Sequence, residues 1–189
     1  MATRDPDAKR RQLVQAALAE FAAHGIAGAR IDRIAKAANC SAGLVYTYFG
    51  SKEDLFSAAF DSLIETVLEE APITPDDLPE YAGKLFDGYE DHPEVARFLT
   101  WHRLESDPDR APNAAAIAGT AAKIAAIEDA QRRGVLPEHL VPAELLGMIL
   151  QISAVWTAAT PEFGEGVAHY TRADRRRVVT DAVAALIRP

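Results

Sequence analysis

The sequence predicts an all-α protein: an N-terminal three-helix helix-turn-helix domain followed by a larger helical domain, about nine helices in total. Two observations carry that prediction. Apolar residues recur at three- and four-residue spacing through segment after segment, which places them on one face of a helix. No stretch sustains the period-two alternation of a half-buried strand. The segments are also punctuated by residues that start and stop helices, and these set the order of the elements.

Residues 1–6 read as a frayed arm. Asp7 is the expected cap of a first helix carrying Leu13, Val14, Ala17, Leu18 and Phe21, closed by Gly25. Lys9, Arg10 and Arg11 fall in its first turns, where cations oppose the helix dipole; phosphates nearby would make sense of them. A loop from His24 to Ala29 leads into the most informative stretch, Ile31 to Lys52. Ile31, Ile34, Ala35 and Ala38 form the apolar stripe of a short helix. Asn39 tolerates a left-handed backbone and so can end it, and Ser41 caps the next helix, Ala42 to Phe49, with Leu44, Val45 and Tyr48 able to face inward. Two short helices joined by a turn of about four residues is the layout that places its second helix in a DNA major groove.

Ile34-Ala35, Ala38, Ser41, Gly43, Tyr46, Tyr48-Phe49, Lys52 and Leu55 stand at fixed spacing. In that pattern the chain resembles the N-terminal DNA-binding domain of the TetR family of transcriptional regulators, over roughly residues 8–56. The remainder fits the family only in length and helical character. Three positions depart from the family pattern. Arg30 stands where Thr or Ser is usual, so the phosphate contact can survive through its guanidinium but the cap cannot. Asn39 replaces the usual Gly and Cys40 the usual Val; Cys40 reads as filling a small core niche.

Charge agrees with a basic head on an acidic body. The 189-residue chain carries net −8, but residues 1–52 hold eight Lys or Arg against four Asp or Glu, a net of +4. The rest holds twelve against twenty-four, a net of −12. Such asymmetry concentrates attraction for phosphate on one module, although ordinary surface charge gives the same count. A single cysteine excludes a disulfide framework and fits a reducing compartment. MATRDPDAKRR has no apolar core and is not expected to be a signal peptide, and no apolar run approaches the roughly 20 residues that span a bilayer. The expectation is a cytoplasmic protein with no membrane partner and no cofactor.

Past Phe49, Ser51 caps a long helix running to Leu68 with Asp54 as its reciprocal partner, and Pro72 to Pro75 break it. Residues 78–90 read as a helix with Tyr81, Leu85, Phe86 and Tyr89 on one side. His92-Pro93 makes a corner before Val95, Phe98, Leu99 and His102. Ser106 to Asn113 is an expected loop, Ala114 to Arg133 an Ala-rich helix stopped by Gly134, and Glu144 to Ala159 the most apolar helix. A Gly-containing loop from Thr160 to Thr171 precedes a final helix from Asp174 to Ile187. The expected division is a DNA-binding domain over 1–52 and a regulatory and dimerisation domain over 53–189.

The resemblance implies site residues. Ser41, Tyr46, Tyr48 and Lys52 are the implied phosphate contacts, with Arg30 beside them; Ala42, Gly43, Leu44 and Thr47 are the positions nearest base edges. Packing in the core is the competing role for Tyr46 and Tyr48. No Arg or Asn on the reading helix offers a bidentate base contact, which leaves Thr47 as its polar reader and gives weight to DNA shape. Double-stranded DNA carrying a palindromic operator and a homodimer follow as partners. The dimer face implied is Leu145, Met148, Ile149, Ile152, Val155, Val178, Val179, Val183 and Leu186; the same side chains would otherwise finish a monomer core. A small, mostly apolar ligand is implied, with Phe86, Tyr89, Phe98, Trp101, His102, Thr120, Ile124, Met148, Gln151 and Trp156 as lining candidates, each equally a core residue.

An enzyme is not expected. The five histidines are scattered, Cys40 has no adjacent His, and Ser153 lacks a nucleophile-elbow context. The competing function is a helical small-molecule-binding or protein-interaction module without sequence-specific DNA binding.

Overall fold

The computed structural model describes residues 5–105 and 113–188, so residues 106–112 of the expected loop and the start of the expected arm lie outside the described residues. The described chain is helical: α1 (Pro6–Gly28), α2 (Ile31–Ala37), α3 (Ala42–Phe49), α4 (Lys52–Glu70), α5 (Leu78–Asp91), α6 (Pro93–Glu105), α7 (Ala114–Arg132), α8 (Pro142–Ser153), α9 (Pro161–Gly166) and α10 (Arg172–Leu186). Two 3-10 turns, Pro75–Asp77 and Val155–Ala158, join them. The chain divides into two compact units, residues 1–66 with 94–115 and residues 67–93 with 116–189.

The first unit is built on α1. Its cap is Asp5, which accepts from the Asp7 amide; Asp7 itself sits in the first turn. That corrects the expected start, and the reason is Pro6, whose missing N–H and fixed φ suit the first helical position. Gly25 does not simply close the helix. It adopts φ 66°, ψ −177°, a conformation nearly restricted to glycine, and the chain makes one more turn to Gly28. The core beneath comprises Leu13, Ala17 and Phe21 from α1, Ile34 and Ala38 after it, and Leu55, Phe56 and Ala59 from α4. Phe21 meets Phe56 edge-on at 5.0 Å, and Phe56 meets Phe98 of α6 at 4.8 Å. His102 continues the stack, 3.7 Å from the Phe60 ring centroid and nearly parallel to it. Burial lowers the His102 pKa against the opposing pull of Asp61, so the ring favours its neutral form.

The second unit packs α10 lengthwise on α5, with α8 against both. Leu78, Tyr81, Phe86, Ile127, Leu145, Ile149, Val179 and Val183 fill its centre. At the edge of α5 and α10, Arg172 pairs with Asp87 and Asp91, Arg175 with Glu90, and Arg176 with Glu80 and Asp87. Gly83 makes this approach possible: a Cβ there would stand 2.7 Å from the Arg176 guanidinium.

Three expectations for this unit are corrected. The apolar helix expected from Glu144 to Ala159 begins at Pro142 and ends at Ser153, whose hydroxyl donates to the Ile149 carbonyl. Thr157 then donates to Ala154, and the chain continues as a 3-10 turn. The expected loop after Thr160 contains α9, capped by Thr160 on the Phe163 amide. The last helix starts at Arg172, because Thr171 and Asp174 form a reciprocal capping box.

Candidate nucleic-acid interface

α3 is fixed at both ends by its own sequence. Asn39 takes the left-handed φ of 50° expected of it and ends α2. The Ser41 hydroxyl accepts from the Leu44 amide, and Gly50 at φ 79° stops the helix after Phe49. Val45 and Phe49 are buried, so the opposite face turns outward. Tyr46 is 50% exposed, Gly43 and Thr47 are exposed, and Ala42, Leu44 and Tyr48 are half-buried. A Cβ on Gly43 would meet nothing nearer than the Ser41 Oγ at 4.0 Å, so the surface around it is open. The Thr47 hydroxyl donates to the Gly43 carbonyl at 2.9 Å, which leaves its methyl and both lone pairs for a partner.

The α2 start explains how Arg30 is accommodated. Arg30 makes no side-chain cap, as its chemistry requires. Glu20 of α1 takes over: it accepts from the Arg30 amide at 2.9 Å and from Arg33 Nε at 2.7 Å, placing an anion at the N-terminus of α2. Burial pushes the Glu20 carboxyl upward, but the hydrogen bonds from Arg33 and the Arg30 amide with the charge of Arg33 outweigh it, and its pKa is lowered. Arg30 itself is exposed, with its guanidinium outside that network.

Lys9 closes the other end of α2. Its ammonium donates to the Ala38 carbonyl, and to Asn39 at 3.4 Å, satisfying helix-terminal acceptors. Arg10 lies 5.3 Å over the Phe49 ring. At the kink in α1, Glu105 of α6 accepts from the Ile26 amide, and a Cβ on Gly25 would stand 2.9 Å from its Oε2 and 3.0 Å from Trp101. Glu20, Lys9 and Glu105 were not legible as positioning residues. The one sequence signal was Lys9 in a first turn, where a cation without an acceptor is unfavourable.

The remaining candidates separate. Phe98, Trp101 and His102 belong to the first unit; Phe86, Tyr89, Thr120, Ile124, Met148, Gln151 and Trp156 belong to the second. Of the latter, Phe86 is buried, Tyr89, Ile124, Met148 and Trp156 are half-buried, and Thr120 and Gln151 are exposed. An open depression lies elsewhere in that unit, lined by Gln131, Gly134, Leu136, Pro137, Glu138, His139 and Arg188. Among the dimer candidates, Leu145, Ile149, Val179 and Val183 are fully enclosed in the second unit's own core. Val155 and Val178 are exposed, and Met148, Ile152 and Leu186 are half-buried. Among the described residues no group of three or more His, Cys, Asp or Glu is placed to hold a metal ion, and no helix is long and apolar enough to cross a membrane.

Known proteins share both units. The sequence pattern of the bacterial regulatory proteins, tetR family, matches residues 13–59, and that of the tetracyclin repressor-like C-terminal domain matches residues 77–184. The HTH-type transcriptional repressor SCO4008 of Streptomyces coelicolor is 39% identical over 163 residues, 86% of this chain and 84% of that one. The HTH-type transcriptional repressor NicS of Pseudomonas putida is 28% identical over 145 residues, 71% of this chain and 68% of that one. The crystal structure of SCO4942 from Streptomyces coelicolor superposes with a TM-score of 0.86 at 39% identity, covering 96% of this chain and 99% of that one. Fold, helix-turn-helix and sequence agree: the chain belongs to the TetR family of transcriptional regulators.

Proposed function

We propose that the protein is a repressor that binds a palindromic operator as a homodimer and leaves it when a small, mostly apolar ligand occupies the second unit. In this reading residues 1–52 are the DNA-binding head and residues 53–189 the regulatory and dimerisation part. The family is one of regulators rather than enzymes. The observation that carries the reading is α3, held from beneath by Val45 and Phe49 while Gly43, Tyr46 and Thr47 face outward. Such a helix can enter a major groove with hydroxyls at its rim and small residues at its centre. Ser41, Tyr46, Tyr48, Lys52 and Arg30 hold phosphates, and Ala42, Gly43, Leu44 and Thr47 lie against base edges. Repression is favoured because both named curated relatives are repressors. Val155, Val178, Met148, Ile152 and Leu186 supply the outer apolar surface for a second copy, since their enclosed neighbours are already used by the monomer.

Selection of genomic fragments by the purified protein at about 0.15 M salt, followed by footprinting, tests this. A site with two related half-sites is expected, and Tyr48→Ala or Lys52→Ala weakens its binding at least tenfold. A folded, dimeric protein that enriches no fragment would overturn the reading in favour of a helical binding module.

A further inference from the structure

Two buried polar atoms of the second unit have no hydrogen-bond partner among the described residues, the Tyr81 hydroxyl and the Arg175 Nε. Arg175 has its charge matched by Glu90 through another nitrogen. Tyr81 has no such compensation. Its side chain is 0% exposed, in the core with Leu78, Phe86 and Ile127, where an unpaired hydroxyl is destabilising. Burial, with the phenol of Tyr89 adding to it, pushes its pKa up to about 12, so at neutral pH the group is a donor.

Lys123 of α7 stands beside it, its ammonium 5.8 Å from the centroid of the Tyr81 ring. The Lys123 side chain is half-buried, and no carboxylate among the described residues pairs with it. Burial lowers its pKa. An ammonium offers three donors and no acceptor, and the phenol adds one more donor. Among the described residues, these two neighbouring side chains therefore offer donors with no acceptor hydrogen-bonded to either. The fully buried residues of α7, Ile127, Ala130 and Gln131, lie toward its C-terminal end; Lys123 and Ile124, one turn earlier, are half-buried, and Ile124 packs against the core.

We propose that the Tyr81 hydroxyl and the Lys123 ammonium form the head-group site for a monocarboxylate with an apolar body, bound between α5 and α7. This rests on reading the second unit as the ligand-sensing part of a regulator, and gives that ligand a chemical class. One carboxylate oxygen accepts from the phenol and the other faces the ammonium, so one negative charge meets one positive charge. Leu85, Phe86, Ile124 and Ile127 are apolar, so a second charged group on the ligand would have no partner.

The test uses the full chain. Straight-chain carboxylates from butanoate to dodecanoate, and phenylacetate, are each titrated beside their primary amides, with thermal unfolding as the readout. At least one acid is expected to bind tenfold or more tightly than its amide. Lys123→Met should erase that preference. Tyr81→Phe should weaken the acid about tenfold while raising the unfolding midpoint of the unliganded protein, because the orphaned hydroxyl is gone. If no acid shifts the midpoint of a protein that still selects DNA, the head-group site is wrong and the regulator reading stands. If an acid binds with the stated dependence and no fragment is selected, the site stands and the regulator reading falls. Equal acid binding by the Tyr81→Phe, Lys123→Met double variant would also overturn the site.

Discussion

The two units solve the problem of polar groups in opposite ways. In the first, charged side chains reach across the sequence to finish other helices: Glu20 serves the start of α2, Lys9 its end, and Glu105 the backbone just past the Gly25 kink. In the second, charges pair with charges along the outer edge of α5 and α10, while a phenol in the centre has no hydrogen-bond partner among the described residues. A satisfied helix end has one good position, so the first unit holds α3 in a single attitude. An unmatched donor can be improved by a partner from outside, so the second unit has something to gain from binding.

The comparison can be broken most forcefully in the first unit's aromatic stack. Phe21→Ala should destabilise it by about 3–5 kcal/mol, since the ring is fully buried against Phe56. Next is Gly25→Ala, which forces a side chain into a glycine-only conformation against Glu105 and Trp101; about 2–3 kcal/mol is expected from urea unfolding.

Glu20→Gln sharpens the contrast at about 1–2 kcal/mol and adds a pH signature. The folded carboxyl has a lowered pKa, so its stabilisation is full above the unfolded value near 4.5 and is lost as pH falls through the folded value. The variant should flatten that acid limb. The second unit's nearest counterpart is Gln131, buried and donating to the Pro137 and Leu140 carbonyls, both at 2.8 Å. Gln131→Leu should cost about 1–2 kcal/mol with no change between pH 3 and 6, because no ionisable group is removed. Arg176→Lys should be the smallest effect, about 0.5–1 kcal/mol and diminishing with added salt, as befits a part-exposed pair at the rim.

What could be read from the sequence follows the same line. Asn39, Ser41 and Gly50 act on backbone within three residues of themselves, and α3 runs over Ala42–Phe49 as its sequence indicates. Ser51 and Asp54 do likewise at the start of α4. The features that escaped depend on distant partners. Lys9 meets Ala38 and Glu20 meets Arg30 only once the helices are packed. Apolar spacing carried the α8 pattern past Ser153, but Trp156 is turned to donate to the Arg175 carbonyl, a residue no local rule connects to it. The apolar stripe of α8 and α10 could not distinguish a monomer core from a subunit interface, because burial by either partner selects the same residues.

Lys9 has a thermodynamic consequence. Inside the head the Ala38 and Asn39 carbonyls hold Lys9, the Phe49 ring underlies Arg10 and Glu20 pairs with Arg33, whereas Arg30, Lys36 and Lys52 have no internal ion pair among the described residues. Only charges that neutralise phosphates release condensed counterions. With about three such cations from each of two heads, the logarithm of the operator association constant should fall against the logarithm of salt concentration with a slope of about −5. Lys9→Gln should therefore leave that slope unchanged even where it weakens the complex by loosening α2, whereas Lys52→Gln should make it shallower by nearly two.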